Sequence, residues 1–243
     1  MGWKNSRFVK TRIQIFILLA AISAVALAGC ASMNSAQSTQ AKMPEFSHSR
    51  DITNPYLPLA SLKQDSLQNG RQRVDRTARP ELRKTFHIGD QTVEAFTVED
   101  REFDANGNLT EATRDYFAQD DAGNVFYLGE DVDEYHNGQI TGHSGAWLLG
   151  KDTQKPGLIM PAHPKVGDQF KAEDVPHITW EADEVVSVSE NATVPAGTYH
   201  NCVKIREVTS DGDTEYKLYA PGIGCVAEIE GGNSLRLTSH AAK

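Results

Sequence analysis

The chain predicts a mainly β domain, an antiparallel meander forming a curved sheet, sandwich or open barrel. From Thr85 onward, runs rich in Val, Phe, Tyr and Thr alternate with turn signals at Gly89-Asp90, Asn106-Gly107, Asp121 to Asn124, Asn137-Gly138, Asp211-Gly212 and Gly231-Gly232. That spacing is typical of antiparallel hairpins. No long apolar face of period 3.6 interrupts it, which argues against helices.

The best-defined piece is a four-strand meander: Gln91–Phe103, Leu109–Gln119, Val125–Tyr135 and Gln139–Leu149. A Pro/Gly-rich connection, Lys155 to Gly167, carries the apolar Gly157-Leu158-Ile159-Met160 and leads to a second group. That group comprises Thr179–Ser189, Asn201–Val208, Thr214–Ala220, Cys225–Glu230 and Ser234–Ser239. If the turns at Asn106-Gly107 and Asp121 to Asn124 centre their hairpins, Arg114 falls between Val98 and Glu130 and pairs with Glu130 across strands. A two-residue turn at Asn137-Gly138 would set Leu128 opposite Trp147.

The N-terminal part reads differently. Lys4, Arg7, Lys10 and Arg12 precede an almost uncharged run, Ile13 to Leu27, too short for a comfortable membrane span, and small residues end it. Leu27-Ala28-Gly29-Cys30 resembles the lipobox of bacterial lipoproteins. The resemblance implies that residues 1–29 are a signal peptide removed on maturation and that Cys30 carries lipid. Two or more acyl chains anchor a protein stably where one does not. Ala31 and Ser32, in place of an Asp after the cysteine, imply the outer membrane, facing the periplasm. Residues 30–47, rich in Ser, Gln and Ala, read as a flexible tether, and residues 48–243 as one β-rich domain.

Within that domain, Ile52 to Leu62 holds two prolines and predicts an extended segment laying apolar side chains along the flank. Arg71 to Lys84 gathers six basic residues and reads as a solvated loop or as partners for the protein's own carboxylates.

Losing residues 1–29 removes four of the 24 Lys+Arg and none of the 33 Asp+Glu, so the mature net charge is −13. A surface this acidic is repelled by nucleic acid and anionic headgroups, leaving the lipid anchor as the membrane contact. With Cys30 taken by lipid, Cys202 and Cys225 remain, an even pair in an oxidising compartment, and the expectation is a disulfide. The register objects, because a strand lies between them and two strand spacings come to roughly 9.5 Å. A bridge would have to close across the Pro221-Gly222 turn.

No catalytic constellation stands out. Glu99, Asp100, Glu102, Asp115, Asp120, Asp121, Glu130, Asp131, Asp133 and Glu134 crowd the meander. Paired carboxylates can divide into acid and base, but beside turns and on alternating strands they read first as a solvated acidic face. Asp104 to Asp115 has a calcium-loop outline, with Leu109 where the loop needs Gly, so the hairpin turn accounts for it. Gly142-His143-Ser144-Gly145-Ala146 misses the nucleophile elbow by one position. The histidines show no metal-ligand spacing, and neither metal nor cofactor is expected.

Val98-Glu-Asp-Arg-Glu, Asp115-Tyr-Phe-Ala-Gln-Asp, Gly123-Asn-Val-Phe-Tyr-Leu-Gly-Glu-Asp131, Val194-Pro-Ala-Gly-Thr and Tyr219-Ala-Pro-Gly-Ile-Gly224 resemble a family of bacterial exported proteins of uncharacterised function. The resemblance covers most of Thr85 to Ser239, implies a β-rich envelope domain and transfers no site. The expectation for function is a non-enzymatic envelope lipoprotein that binds a partner protein or an apolar ligand. The alternatives are a carboxylate-dependent hydrolase of envelope glycan and a purely structural protein.

Overall fold

The computed structural model describes residues 43–243, so Cys30 and most of the tether lie outside the described residues. All its regular structure is β. The first six strands are β1 (Leu62–Gln68), β2 (Arg73–Ala78), β3 (Lys84–Ile88), β4 (Gln91–Phe103), β5 (Leu109–Gln119) and β6 (Val125–His136). Three short strands follow, β7 (Gln139–Gly142), β8 (Trp147–Leu148) and β9 (Gly157–Met160). The last six are β10 (Gln169–Val175), β11 (Thr179–Val194), β12 (Gly197–Thr209), β13 (Thr214–Ala220), β14 (Gly224–Glu230) and β15 (Asn233–Ala242).

They form one antiparallel sheet in the order β10-β11-β12-β13-β14-β15-β1-β2-β4-β5-β6-β7, with β3 beside β4 and both β8 and β9 beside β6. A sheet this wide cannot stay flat, because each strand is rotated from its neighbour by the right-handed twist. Here it curls until β9, at one end of the order, lies against β10 at the other. The approach is close: a Cβ on Gly157 would lie 1.8 Å from the Ala172 carbonyl oxygen. Trp147 Nε1 donates to Glu173 Oε1 at 3.2 Å across the same seam. No strand ladder joins the two ends among the described residues, so the sheet is not a closed barrel.

Alternation along the strands fills both faces. Phe96 and Val98 of β4, Phe117 of β5 and Tyr127 of β6 enter the larger core, with Leu67, Val203, Ile205 and Leu237. Val93, Ala95, Tyr116, Ala118 and Leu128 enter a smaller core on the other face, under Phe86 and Phe46. The segment with the two prolines seats Ile52, Leu57 and Leu59 in the larger core.

Several expectations are corrected by the register. Asp115, not Arg114, pairs with both Val98 and Glu130, because each ladder is shifted by one residue, at Glu102/Phe103 between β4 and β5 and at Tyr116/Phe117 between β5 and β6. A one-residue slip reverses the face of every side chain, and Arg114 pairs instead with Asp133, at 3.2 Å. The Asn137-Gly138 turn forms as expected, joining His136 to Gln139, yet Trp147 falls opposite Glu130 rather than Leu128. Gly129, at φ 127°, lets β6 bulge there, which sends Leu128 to the smaller core and Tyr127 edge-on to Trp147 at 5.3 Å. The basic island is part strand: Arg73 and Arg76 lie in β2 and Lys84 opens β3, while Arg71, Arg79 and Arg83 lie in the connections. Its cations do meet carboxylates of the chain, among them Arg76–Asp100 and Arg79–Glu99. Residues 44–47 are docked rather than free tether: Phe46 is buried, and Ser47 donates to Asp121 from its backbone N–H at 2.8 Å and its hydroxyl at 2.7 Å.

The expected Cys202–Cys225 disulfide is absent, and both thiols are free and buried. Val203, Tyr219 and Cys225 are successive cross-strand partners and share a face, so Cys202 points to the other one. Burial pushes both thiols above their ordinary range.

Alkylation in denaturant without reductant should therefore modify both Cys202 and Cys225, read as two adducts by peptide mass; a disulfide-linked peptide pair would contradict the register. Gly157→Ala should cost about 1–3 kcal/mol in chemical denaturation, since the added methyl meets backbone of β10 rather than a movable side chain.

Candidate functional site

The inner face of the curl is stratified. On β2, Val74, Arg76 and Ala78 point inward, opposite Glu102, Asp100 and Val98 of β4. On β12, Val203, Ile205 and Glu207 face Tyr219, Lys217 and Glu215 of β13. Glu228 of β14 lies opposite Lys217, and Asp183 of β11 lies opposite Glu207. Charged residues thus form a layer beside the apolar one, with two interruptions: Val74 sits beyond Arg76 opposite Glu102, and Ile205 stands opposite Lys217.

Two groups organise the charged layer. In the first, Arg76 Nη2 contacts Asp100 Oδ2 at 2.8 Å and Glu228 Oε1 at 3.6 Å. β15 and β1 stand between β2 and β14 in the sheet, so this second contact crosses the interior of the curl. Asp65, nearly inaccessible, holds His240 Nδ1 at 2.6 Å, and Gln72 Nε2 donates to Glu102 Oε2 at 3.0 Å.

The second group is more acidic. Carboxylate oxygens of Glu181, Asp183 and Glu207 lie within 4.8 Å of one another. Lys217 Nζ contacts Glu207 Oε2 at 2.7 Å, and Asp183 Oδ2 accepts the Ala172 N–H at 3.1 Å. Asp183 Oδ1 is buried without a hydrogen-bond donor. Beside them Glu173 accepts the Thr179 hydroxyl at 2.6 Å as well as the Trp147 indole N–H.

Burial and crowding raise the proton affinity of four of these carboxylates, Glu102, Asp183, Glu207 and Glu215. Burial, then the neighbouring Glu111, Glu228 and Asp100, push Glu102 up to about 8. Burial and Glu181 push Asp183 up to about 8 against the pull of Lys217. Burial lifts Glu215 to about 7, and Glu207 is raised too, although Lys217 opposes both. Burial alone would lower Lys217, but Glu207 and Glu215 outweigh it and keep the ammonium charged. The arrangement can hold protons or cations; it presents no nucleophile beside a base.

No protein family and no curated protein matches the chain. Among solved structures, it is similar to a crystal structure described as that of a putative lipoprotein from Parabacteroides distasonis. That likeness has a TM-score of 0.44 and 12% identity, and it covers 77% of this chain and 99% of that one. At this TM-score the likeness carries no weight for fold or function.

Of the carboxylates singled out in the sequence, Asp100, Glu102, Asp115 and Glu130 point inward, which the reading as a solvated face did not foresee. Asp115 accepts from the Tyr127 hydroxyl at 2.5 Å. The others do structural work outside: Glu99 meets Arg79, Asp131 meets Lys84 and Asp133 meets Arg114. Asp120 accepts the Asn124 N–H in its turn at 2.8 Å. Asp104 Oδ1 accepts the N–H groups of Asn106 and Asn108, as a hairpin turn requires. Ser144 gives its hydroxyl to Glu134 at 3.1 Å while His143 Nδ1 meets Asp133 at 3.1 Å, so no Ser–His pair is recorded there. Glu181, Asp183, Glu207, Glu215 and Lys217 escaped the sequence reading. Their signal was present in the Asp211-Gly212 turn, which sets Glu207 opposite Glu215, and in apolar–acid alternation such as Val203-x-Ile205-x-Glu207.

Glu102 binds a proton near pH 8 when folded, against its ordinary value of 4.5. The folded state therefore holds more protons than the unfolded chain between those values, and stability is full below about pH 4.5 and lost as pH rises through about 8. Asp183 and Glu215 act in the same direction. Thermal melts at fixed ionic strength should show the midpoint falling from pH 5 to pH 8, and Glu102→Gln should flatten that fall; a midpoint that rises over this window would refute the assignment.

Proposed function

We propose that this chain is a lipoprotein of the bacterial envelope, anchored through Cys30 in the outer membrane and facing the periplasm, whose β domain binds a cationic ligand on the acid-lined hollow of its curled sheet. The anchor rests on the Leu27-Ala28-Gly29-Cys30 motif behind a basic and then apolar leader. The ligand class rests on one observation: inward-facing carboxylates, Asp100, Glu102, Asp183, Glu207 and Glu228 among them, gather around Arg76 and Lys217. An apolar ligand, expected before the register was known, would have to desolvate these charges at a cost of several kcal/mol each. A cation instead relieves their mutual repulsion.

A second reading, a carboxylate-dependent glycan hydrolase, draws on the convergence of Asp183 and Glu207 and on the raised proton affinity of Asp183. Access weighs against it. Asp183 and Glu207 are 4% and 3% exposed, which admits an ion far more readily than a sugar ring.

For the anchor, cells fed a clickable fatty acid should label the wild-type chain and not Cys30→Ala; equal labelling would overturn it. For the ligand class, the detergent-extracted full chain should bind Ca2+ or spermidine in calorimetry, with affinity falling as salt rises. Heat from neither would remove the reading, and hydrolysis of envelope glycan lost in Glu207→Gln would replace it with the enzymatic one.

A further inference from the structure

We infer that Glu181, Asp183 and Glu207 form a site for one hard divalent cation of calcium's size. The inference rests on the reading of the hollow as a cation-binding surface and names the ligand. The donors are oxygens alone, the preference of hard cations rather than of zinc or copper. Their separation, within 4.8 Å, lets one ion touch all three. Three carboxylates converging on one ion favour Ca2+, because Mg2+ demands a near-ideal octahedron, keeps several of its waters and is held through one or two carboxylates.

An independent observation points the same way. Asp183 is 4% exposed, one of its oxygens is held by the Ala172 N–H, and the other, Oδ1, has no donor. Buried carboxylate oxygens are nearly always hydrogen-bonded, and an exception calls for a proton or an ion. Lys217 brings one positive charge, placed on Glu207; a divalent ion would complete the neutralisation of three carboxylates.

The backbone prepares the site. Glu181 and Asp183 are alternate residues of β11, opposite Thr209 and Glu207 of β12, so the ladder brings the three side chains to one face without any loop closing. Asp183 is fixed further by β10, the strand that the curl presses against β9. Half-buried Glu181 leaves a side open to solvent for ion entry, and water completes the coordination sphere.

The test uses the detergent-extracted full chain, stripped with EDTA and titrated with Ca2+ at fixed ionic strength. A dissociation constant of about 10⁻⁴–10⁻³ M is expected, the range of extracellular modules with few protein ligands. Mg2+ should bind at least fivefold more weakly. Asp183→Asn and Glu207→Gln should each weaken Ca2+ at least tenfold, while Glu99→Gln, on the outer face against Arg79, should stay within twofold. Asp183→Asn should melt no lower than wild type in EDTA, because it relieves repulsion, and should lose the Ca2+-induced rise in midpoint. The wild-type rise needs no variant to fold, and its absence overturns the site. Absence of Ca2+ binding with spermidine binding retained overturns the site and leaves the wider reading standing; absence of both removes the two together. Ca2+ affinity unchanged in both Asp183→Asn and Glu207→Gln puts the ion elsewhere and also overturns the site.

Discussion

The structure depends on the meeting of β9 and β10. A wide twisted sheet needs a reason to curl in one place, and here it is the flat backbone contact at Gly157 over the Ala172 carbonyl, fastened by the Trp147 indole on Glu173. Trp147 is itself 1% exposed and stacks edge-on to Tyr127, so the seam is continuous with the larger core. Once the ends meet, one face of every strand becomes interior. Arg76 can then reach Glu228 across two intervening strands, and the Ala172 N–H on β10 can hold Asp183 on β11.

That interior is not uniformly apolar, and the departure has a cost. Burying Glu102, Glu207 and Glu215 beside other carboxylates raises their proton affinities and leaves stability dependent on pH. A domain that needed only to be stable would place Val or Leu at these positions, as it does one layer away at Val98, Val203 and Ile205. Charges kept where they destabilise are the basis of the binding site proposed above. The apolar layer and the second core under Phe46 and Phe86 are the parts of the structure that bury apolar surface.

The fold class was legible because it rests on local chemistry. Turn residues such as Asn137-Gly138 dictate hairpins whatever surrounds them, and the alternation between them has period 2. Register was less legible, since a single bulged residue, as at Leu128 or between Glu102 and Leu109, leaves no mark in the residue types yet exchanges the faces of the strand. The consequence is visible at Arg114, which leaves Glu130 for Asp133, and at Cys202, which turns away from Cys225. The first strands were harder still: Arg73 to Ala78 reads as a basic stretch, and the carboxylate that pairs with its inward cation, Arg76, is Asp100, 24 positions away.

By itself the sequence determined most of the strand-and-turn order from Thr85 onward, though not β10 or the break between β7 and β8, together with the net acidity, and it carries the expectation that Cys30 is lipidated, all properties of neighbouring residues. Tertiary structure decided which parity of each strand faces inward, and therefore that Glu181 and Asp183 meet Glu207 while the meander's acids divide between the two faces. The reason is physical. Side-chain direction follows from ladder register and sheet curvature, and both are set by contacts between residues far apart in the chain, such as Gly157 and Ala172.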